Sequence, residues 1–400
     1  MDPLIVCASI ARMELTAAVG ARSELLGVPA AVGPEPGGAQ QIGEVSVAAE
    51  AFGIVPGMRL GEALSRCPTL MLVPPDPAGV QERWERLLVA LEGIGAAVES
   101  MRPGLVCFDA RGLLRLYGGS LKAVLEAARR ALAEPAHFGV AATRFAAVAA
   151  ASRARVRGPL VVGGGPREAR EFLAPMPVAL LRGSPALAAL VEPLERLGVQ
   201  TIGELAALPV AAVADRFGMV GRTAHRLARG HDAPLRPRDP GESLREMVEL
   251  HDPSSGEQLE RALGILIERL LSRRERRGRT LRTVVLSAAL VEQGGTWRER
   301  ITFREALSDG ERVRLALTLR LASLPAPAHT LRLAVERFGP PTSDQRALLD
   351  DPREARLARL QEAIRQTRAA AGPEAAMRVL QIDPRSRFPE RRAVLTPFEG

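Results

Sequence analysis

The sequence predicts an α+β chain built from several domains. Its 400 residues exceed what a single hydrophobic core usually covers, so we expect two to four domains. The apolar run at 105–108 follows the turn pair Pro103-Gly104, which indicates a short buried strand. Helical patterns at 80–94 and 120–132 flank this strand. Strands and helices therefore alternate along the first part of the chain, and a second group of both follows beyond residue 240.

The composition is that of a globular protein. Hydrophobic residues make up 46% of the chain and charged residues 25%. No run of about 18 apolar residues is present, which excludes a transmembrane helix. The start, Met1-Asp2-Pro3, has no basic segment, so we expect no signal peptide. Cys7, Cys67 and Cys107 are scattered, without metal-ligand spacing, and we expect them to be reduced core residues of a cytoplasmic protein.

The charge balance indicates a polyanionic partner. The net charge is +8 and the pI is about 10.7. Lys122 is the only lysine, so nearly all of the positive charge is arginine. A codon bias toward arginine explains this equally well as phosphate binding by planar guanidinium groups. Composition leaves both explanations open.

Two stretches between residues 192 and 230 have the pattern of helix-hairpin-helix units. The segment 197–209 predicts a helix end, a tight hairpin and a second helix, and 216–222 repeats the pattern. Such units present backbone N–H groups and helix N-termini to phosphates, whatever the base sequence. The residues that we predict to contact DNA here are Gly198, Gly203, Gly218, Gly221, Arg222 and Arg226. The alternative is a small helical domain that docks another protein.

A further α/β segment follows a stretch rich in Pro, Arg and Asp at 231–242, which predicts a flexible linker. An amphipathic helix at 259–271 leads into an arginine-rich run. The predicted elements beyond it are strands at 281–290, 298–303 and 330–335 and a helix at 310–323. The residues that we predict to contact phosphates are Arg276, Arg277, Arg279 and Arg298. A charge run is also typical of a solvated surface, and that alternative stays open.

Several motifs resemble the Y-family (UmuC/DinB-like, translesion) DNA polymerases. Residues 51–63, AFGIVPGMRLGEA, parallel the family's A-F-G-V-x-x-G-M-x-x-x-E-A, and 139–146 resemble its G-I-A-x-N-K-x-L-A. Residues 378–392 resemble the closing segment of the ImuB-type branch, with its Pro-Glu-Arg-Arg. The resemblance implies a right-hand-like architecture. Its expected domains are a palm (1–25 and 76–165), fingers (26–75), a helix-hairpin-helix thumb (166–235), a little finger (242–338) and a C-terminal clamp-binding and tail segment (339–400).

The resemblance also implies that the catalytic residues are missing. The family's metal-binding acids fall on Ala11, Met13, Gly104 and Leu105. None of these side chains is a ligand for Mg²⁺, which requires hard oxygen donors, so we expect no metal and no cofactor. The family's triphosphate-binding Tyr and Arg fall on Val47 and Glu50.

Two basic residues stand where the family has lysines, Arg144 and Arg155. We interpret them as remnants of the nucleotide site or as contacts to the DNA backbone. The alternative to a lost active site is an active polymerase whose Mg²⁺ ligands are displaced, with Glu14, Glu99 and Asp109 as candidates.

A short motif after the predicted little finger indicates a sliding-clamp ligand. Gln345, Leu348 and Leu349 match the Gln-x-x-Leu-Leu pattern of bacterial clamp-binding peptides. The alternative is the first turn of a helix over 352–371. Other partners that the resemblance implies are a recombinase-like, ImuA-type protein and a replicative polymerase.

The sequence thus predicts a non-catalytic DNA-binding adaptor of DNA repair and damage-induced translesion synthesis. We expect it to be cytoplasmic, at the bacterial nucleoid, with DNA and the sliding clamp as partners and no membrane. Two other classes stay open: an active error-prone polymerase, and a protein-docking scaffold with little affinity for DNA.

Overall fold

The protein is described by a computed structural model. The described residues are 3–20, 22–239, 244–291 and 295–341, with 360, 363–364, 367, 375–381, 387–388 and 392–397 toward the C terminus. The chain divides into two compact units, Met1–Pro240 and Gly241–Gly400. No described helix is both long and apolar enough to cross a membrane. The palm, fingers, thumb and little-finger assignments within these units stay predictions.

The first unit is built around one mixed sheet. Its described strands are β1 (Ile5–Ser9), β2 (Ala30–Val32), β3 (Met71–Val73), β4 (Val98–Arg102), β5 (Leu105–Asp109), β6 (His137–Ala141) and β7 (Leu160–Val161). The sheet has the order β4-β5-β1-β6-β7, while β2 and β3 form a separate parallel pair. Strand β1 is central and pairs antiparallel with both β5 and β6. The predicted strand at 105–108 is therefore confirmed, and it lies next to the middle of the sheet.

Helices cover both faces of this sheet. The described helices of the first unit are α1 (Met13–Val19), α2 (Val47–Glu50), α3 (Leu60–Arg66), α4 (Pro77–Gly93), α5 (Arg111–Leu114), α6 (Leu121–Leu132), α7 (Arg144–Arg153), α8 (Pro166–Leu173), α9 (Pro185–Ala188), α10 (Val191–Arg196), α11 (Ile202–Ala207) and α12 (Val210–Ala228). Val6 and Phe108 pack with α4 and α6 on one face, whereas Cys7 and Cys107 face α7 on the other. Because both faces are buried, the central strands are continuously apolar. The helices predicted at 80–94 and 120–132 are confirmed.

The segment 231–239 is fixed to the first unit by ion pairs. Arg238 donates hydrogen bonds to Glu85 at 2.7 Å and to both oxygens of Glu92 at 2.6 and 3.0 Å. Asp232 accepts from Arg144 at 3.2 Å and from the backbone N–H of Phe145 at 2.9 Å. The prediction of a flexible linker is therefore wrong for these nine residues. The sequence signal failed because Pro and Arg composition does not reveal that carboxylates far along the chain meet these side chains.

The second unit is a four-stranded antiparallel sheet with helices on one face. Its described elements are β8 (Leu244–Ser254), α13 (Glu257–Ser272), β9 (Arg279–Leu290), β10 (Thr296–Leu307), α14 (Gly310–Leu321), β11 (Ala328–Pro341) and the pair β12 (Met377–Gln381) with β13 (Ala393–Pro397). The four-stranded sheet has the order β10-β9-β11-β8. Its core joins Leu263 and Leu266 of α13 to Leu286 and Leu333 of the central strands. The predicted strands and the helix at 259–271 are confirmed with longer bounds, the helix predicted at 310–323 ends at Leu321, and β8 is an additional strand.

Candidate nucleic-acid interface

The four positions predicted to have lost the metal ligands meet at one corner of the first sheet. Strand β1 ends where β5 begins, and the N–H of Ile10 donates to the carbonyl oxygen of Gly104 at 2.8 Å. Ala11 and Met13 follow β1 directly, and a Cβ added at Gly104 would lie 3.7 Å from the Cβ of Met13. Met13 and Leu105 are buried. We call the surroundings of these positions the corner.

The corner does not fit a magnesium ion. The side chains of Ala11, Met13, Gly104 and Leu105 supply no oxygen, and Mg²⁺ requires near-octahedral oxygen coordination. Gly104 has a φ of +83° in the turn between β4 and β5, and an added Cβ would lie 2.7 Å from the backbone oxygen of Ile10. An aspartate at this position would therefore strain the turn and force the backbone around Ile10 to shift. Across the described ranges, no group of three or more His, Cys, Asp or Glu side chains is arranged to hold a metal ion.

The three displaced carboxylates do not converge. Asp109 ends β5, about 14 Å along the strand from Leu105 at the rise of an extended chain. Burial raises the pKa of Asp109, but hydrogen bonds from Arg111 outweigh this and leave the pKa below its usual value. Glu99 is held by Arg144 at 2.5 Å and by the backbone N–H of Arg236 at 2.8 Å. The carboxylates of Asp109 and Glu99 are thus both engaged by arginine residues.

Glu14 lies at the start of α1, close to the corner. Burial and the neighbouring charge of Glu44 raise its pKa, while Arg102 opposes the shift. Glu14 directly follows Met13, one of the four positions of the corner. Asp109 and Glu99 do not join it there. A two-metal site needs several carboxylates around one point, and this arrangement does not provide them.

The charged side chains Glu50 and Arg144 at the expected nucleotide positions are both held by ion pairs within the first unit. Glu50 accepts a hydrogen bond from Arg12 at 2.8 Å, and the Nε of Arg12 donates to the carbonyl of Val45 at 2.9 Å. Val47 is exposed and apolar. Arg144 is held by Glu99 and Asp232 and so anchors the segment 231–239. Its interpretation as a remnant of the nucleotide site or as a contact to the DNA backbone stays a prediction. Arg155 lies exposed on the surface.

The first predicted hairpin is closed by its own hydrogen bonds. Gly198 adopts the left-handed φ of +84° between α10 and α11, as a tight hairpin requires. Every backbone N–H from residue 197 to residue 204 donates to a partner within the first unit. Glu204 accepts from Gln200 at 2.6 Å and Thr201 at 3.2 Å, and Gly203 donates to the carbonyl of Ala174 at 3.0 Å. The prediction that these N–H groups face phosphates does not agree with this pattern.

The second predicted hairpin is a break within α12. Gly218 has φ 61° and ψ −146°, which ends one helical segment and starts another. Met219, at the new helix start, is 69% exposed. Gly221 is buried and would place a Cβ 2.6 Å from the Cβ of Phe217, so its role is packing. Arg222 and Arg226 are exposed on the following turns. This helix start, with two arginines beside it, keeps the geometry of a phosphate contact.

The predicted arginine run mostly stabilises its own turn. Arg276 donates to the carbonyl of Arg279 at 3.1 Å, and the Nε of Arg279 donates back to the carbonyl of Arg276 at 3.1 Å. The guanidinium of Arg279 also stacks 4.1 Å above the ring of Phe338. Arg277 takes a left-handed φ of 49° and is exposed. Of the three predicted residues, Arg277 is the one whose side chain faces solvent.

The side of the second sheet that faces away from α13 and α14 carries a group of arginines, of which the sequence indicated only some. Leu286 and Ala288 of β9 face the helices, so Val285 and Ser287 face the opposite side. Arg298 of β10 and Arg332 of β11 lie directly beside Ser287 on either side. We call Arg298, Arg300, Arg332 and Arg245 the arginine face.

The registers place the remaining two members on the same side. Arg300 lies beside Val285, and Arg245 lies beside Ala334, which itself pairs with Val285. Arg298 was predicted, whereas Arg300 and Arg332 were missed. The spacing of Arg298 and Arg300 by two residues, opposite a small residue on β9, is the signal that identifies a polar strand face. Arg245 had no such signal because β8 itself was not predicted.

The predicted clamp motif, Gln345, Leu348 and Leu349, lies outside the described residues. Nothing in the structure therefore bears on it, and it stays a prediction.

Comparison with known proteins finds one matching family model and several similar proteins. Residues 11–152 match the model of the impB/mucB/samB family. A DNA polymerase IV of Dehalococcoides mccartyi (strain CBDB1) is 27% identical over 357 residues, covering 88% of this chain and 90% of the relative. A DNA polymerase IV of Pseudomonas entomophila is 29% identical over 334 residues, covering 77% of this chain and 92% of the relative. One from Moorella thermoacetica is 32% identical over 245 residues, covering 59% of this chain and 60% of the relative.

The matched segment contains β1, β5, β6 and the corner between them, and the full-length similarities extend through both units. The motifs at 51–63 and 139–146 lie within the same segment. These comparisons therefore support the resemblance of this chain to the Y-family, UmuC/DinB-like superfamily of DNA polymerases.

Proposed function

We propose that the protein is a DNA-binding adaptor of the ImuB type that has no polymerase activity. It acts in DNA repair and damage-induced translesion synthesis. The observation that carries the proposal is the corner, where Ala11, Met13, Gly104 and Leu105 stand at the positions of the metal-binding acids. Phosphoryl transfer by two metal ions requires carboxylates at this point, and a side chain added at Gly104 would meet the backbone oxygen of Ile10 at 2.7 Å.

DNA binding is supported by the exposed basic surfaces. Arg298 and Arg300 of the arginine face are exposed, as are Arg222 and Arg226 beside the helix start at Gly218, and the net charge of the chain is +8. Contacts of this kind are made to phosphates, so binding is independent of base sequence and weakens with salt. The relatives named DNA polymerase IV support the same partner. We assign the arginine face and α12, with Arg222 and Arg226, as the DNA-binding surfaces.

Recruitment by the sliding clamp is the second part of the proposal. It rests on Gln345, Leu348 and Leu349 alone, where a polar amide precedes two apolar anchors. A recombinase-like, ImuA-type protein and a replicative polymerase complete the partners, at the nucleoid in the cytoplasm. Affinity capture from cells with damaged DNA, followed by detection of clamp and replicative polymerase, identifies which of these partners bind.

A primer-extension assay tests the absence of catalysis. The purified full-length protein is given primed template, all four deoxynucleoside triphosphates and either Mg²⁺ or Mn²⁺. We expect no extension above background, while the same preparation shifts the DNA in a binding assay. Robust incorporation that is lost in Glu14→Ala or Asp109→Ala would overturn the adaptor function.

An active error-prone polymerase is the second candidate function, because the similar proteins carry the name DNA polymerase IV. It requires Glu14, Glu99 and Asp109 to act as Mg²⁺ ligands. Glu99 and Asp109 already bind arginine residues, so this function needs both ion pairs to open. The third candidate, a protein-docking scaffold, predicts little DNA affinity at any salt concentration, which a salt titration separates from the adaptor.

A further inference from the structure

The corner is tied to the loop that precedes α2 by two independent contacts. In the first, Arg12 donates to Glu50 at 2.8 Å and to the carbonyl of Val45 at 2.9 Å. In the second, one carboxylate oxygen of Glu44 accepts from the backbone N–H groups of Glu14 at 2.7 Å and Leu15 at 3.1 Å. The segment 44–50 is therefore fastened to the start of α1 at two points.

Glu44 replaces the cap that α1 lacks locally. The residue at the N-cap position is Arg12, whose side chain makes no capping hydrogen bond and whose φ and ψ are 55° and 42°. A left-handed arginine is strained and persists only where neighbouring contacts hold it. The carboxylate of Glu44 meets the orphan N–H groups of the first turn, which are the groups that an N-cap side chain normally satisfies.

These contacts lie where the resemblance implies a nucleotide-binding site. Glu50 and Val47 stand where the resemblance places the residues that bind an incoming triphosphate. At this place the positive charge of Arg12 is neutralised by Glu50 of the same chain. A carboxylate at that position also repels phosphate groups. Carboxylates of the same chain thus already occupy the guanidinium of Arg12 and the first N–H groups of α1.

We infer that the corner is a permanently closed joint, held by Glu44 and Glu50, which does not open to admit a nucleoside triphosphate. The joint fixes the segment 44–50 on α1 without any ligand. It is an autoinhibitory contact with respect to nucleotide, and it stands on these contacts whether or not the protein binds DNA.

Hydrogen exchange followed by mass spectrometry tests the joint in the full-length protein. The N–H groups of Glu14 and Leu15 are themselves the donors to Glu44, so a peptide covering them reports on the contact directly. In Glu44→Ala we expect these amides to exchange about fivefold faster, which is the effect of losing a typical helix cap. In Arg12→Ala/Glu50→Ala we expect faster exchange across residues 44–53.

A matched control is available in the same part of the chain. Arg66 and Glu62 form an ion pair at 2.7 Å within α3, with side chains 43% and 48% exposed, against 30% and 48% for Arg12 and Glu50. Because Arg66 also donates to the carbonyl of Gly53 at 2.7 Å, the control is evaluated at residues 12–20 and 44–50, where the variant Arg66→Ala/Glu62→Ala should leave the exchange unchanged. Peptides from α13 and β9 in the second unit serve as the internal reference for intact folding.

Two further exchange measurements test the joint, one with added nucleotide and one on a second variant of Arg12. Wild-type protein with a deoxynucleoside triphosphate and Mg²⁺ should show no change in exchange at 12–20 or 44–53, and protection of more than twofold there would overturn the joint. If Arg12→Ala/Glu50→Ala accelerates exchange in both units alike, Arg12→Gly removes the ion pair while permitting the left-handed backbone. Unchanged exchange at 44–53 in Arg12→Gly, or at Glu14 and Leu15 in Glu44→Ala, contradicts the inference.

Discussion

The corner and the arginine face are both charged places beside a sheet, but they use their charge in opposite ways. At the corner, Arg12 is neutralised by Glu50, and Glu44 turns its carboxylate into the start of α1. On the arginine face, Arg300 is paired with Glu336, whereas Arg298 is exposed and no described carboxylate is paired with it. The corner is therefore closed to an external anion, while Arg298 on the arginine face remains open to one. In this chain, whether a region can bind an external anion depends less on how many arginines it contains than on whether those arginines are already paired.

The two hairpins of the first unit repeat the same contrast on a smaller scale. Glu204 accepts from two backbone N–H groups of the first hairpin, so that hairpin is satisfied internally. The helix break at Gly218 has no such carboxylate among the hydrogen bonds of the described residues, and Arg222 and Arg226 lie beside it. In the first turn, the carboxylate of Glu204 already occupies the backbone N–H groups. In the second, a helix start and two exposed arginines lie together, as in sites that bind anions.

The largest expected effect is on the corner. Gly104→Asp restores the acid that a metal site needs, but the added Cβ meets the backbone oxygen of Ile10 at 2.7 Å and the φ of +83° disfavours any side chain. We expect this variant to lower the free energy of unfolding by about 2–4 kcal/mol, measured by urea denaturation. Gly112→Asp is the control, because nothing lies within 4 Å of the Cβ that it adds. Equal stability of the two variants would show that the corner tolerates a metal ligand.

The sequence was enough to place the corner because the signals there are local. The apolar run at 105–108 and the turn pair Pro103-Gly104 lie next to each other, and the structure has a strand and a turn at these residues. The sequence also placed the hairpin at Gly198 and the break at Gly218, since glycine marks positions with positive φ. Backbone conformation was therefore predictable wherever a residue type restricts it.

The partners of charged side chains were not predictable in the same way. Glu50 lies 38 residues from Arg12, and Arg238 lies 146 residues from Glu92. No local pattern marks such pairs, so the segment 231–239 was predicted to be flexible and Arg144 was interpreted as a DNA contact or a remnant. Strand β8 was missed for a related reason. Its Glu246 is buried against Arg273 and interrupts the apolar pattern, and Pro253 is tolerated because β8 is an edge strand.

The second largest effect is expected on the arginine face. Arg298→Ala/Arg300→Ala/Arg332→Ala removes three positive charges from the side of the second sheet that faces away from α13 and α14. The slope of log affinity against log salt should become shallower by up to about 2.7, at about 0.9 for each lost phosphate contact. Binding to duplex DNA is measured by fluorescence anisotropy at several salt concentrations.

The control removes the same charge from the opposite side of the same unit. Arg261→Ala/Arg314→Ala/Arg320→Ala changes three arginines on α13 and α14, which cover the other face of the sheet. We expect the salt slope of this variant to stay close to that of the wild type. If both triple variants flatten the slope equally, the effect is one of net charge alone, and the arginine face is not a specific DNA-binding surface.

A smaller effect is expected when the first hairpin is opened. Glu204→Ala removes the carboxylate that accepts from Gln200 and Thr201, and it also ends the capping box with Thr201. The lost cap should lower stability by about 1 kcal/mol. The two freed N–H groups should raise DNA affinity by about threefold, since each then gains a phosphate partner. Glu192→Ala removes the same charge from an exposed ion pair on α10 and controls for net charge. A gain that is equal in both variants would mean that the hairpin makes no contact with DNA.

The smallest expected effect concerns the ionisation of Glu14 beside the corner and its contribution to stability. Burial and the charge of Glu44 raise the pKa of Glu14, so the folded protein holds this proton more tightly than the unfolded chain does. Stability linked to Glu14 is then greatest below the ordinary glutamate pKa of about 4.3 and falls as the pH rises through the raised value. Glu14→Gln removes the cost of holding an ionised carboxylate that is partly buried beside Glu44, so this variant should be slightly more stable than the wild type at pH 7. Because Glu14 is largely exposed, the gain should be no more than about 0.5 kcal/mol. The two proteins should converge in thermal unfolding at pH 4, and a difference that stays constant from pH 4 to pH 8 would place the effect in packing and not in the charge that Glu14 shares with Glu44.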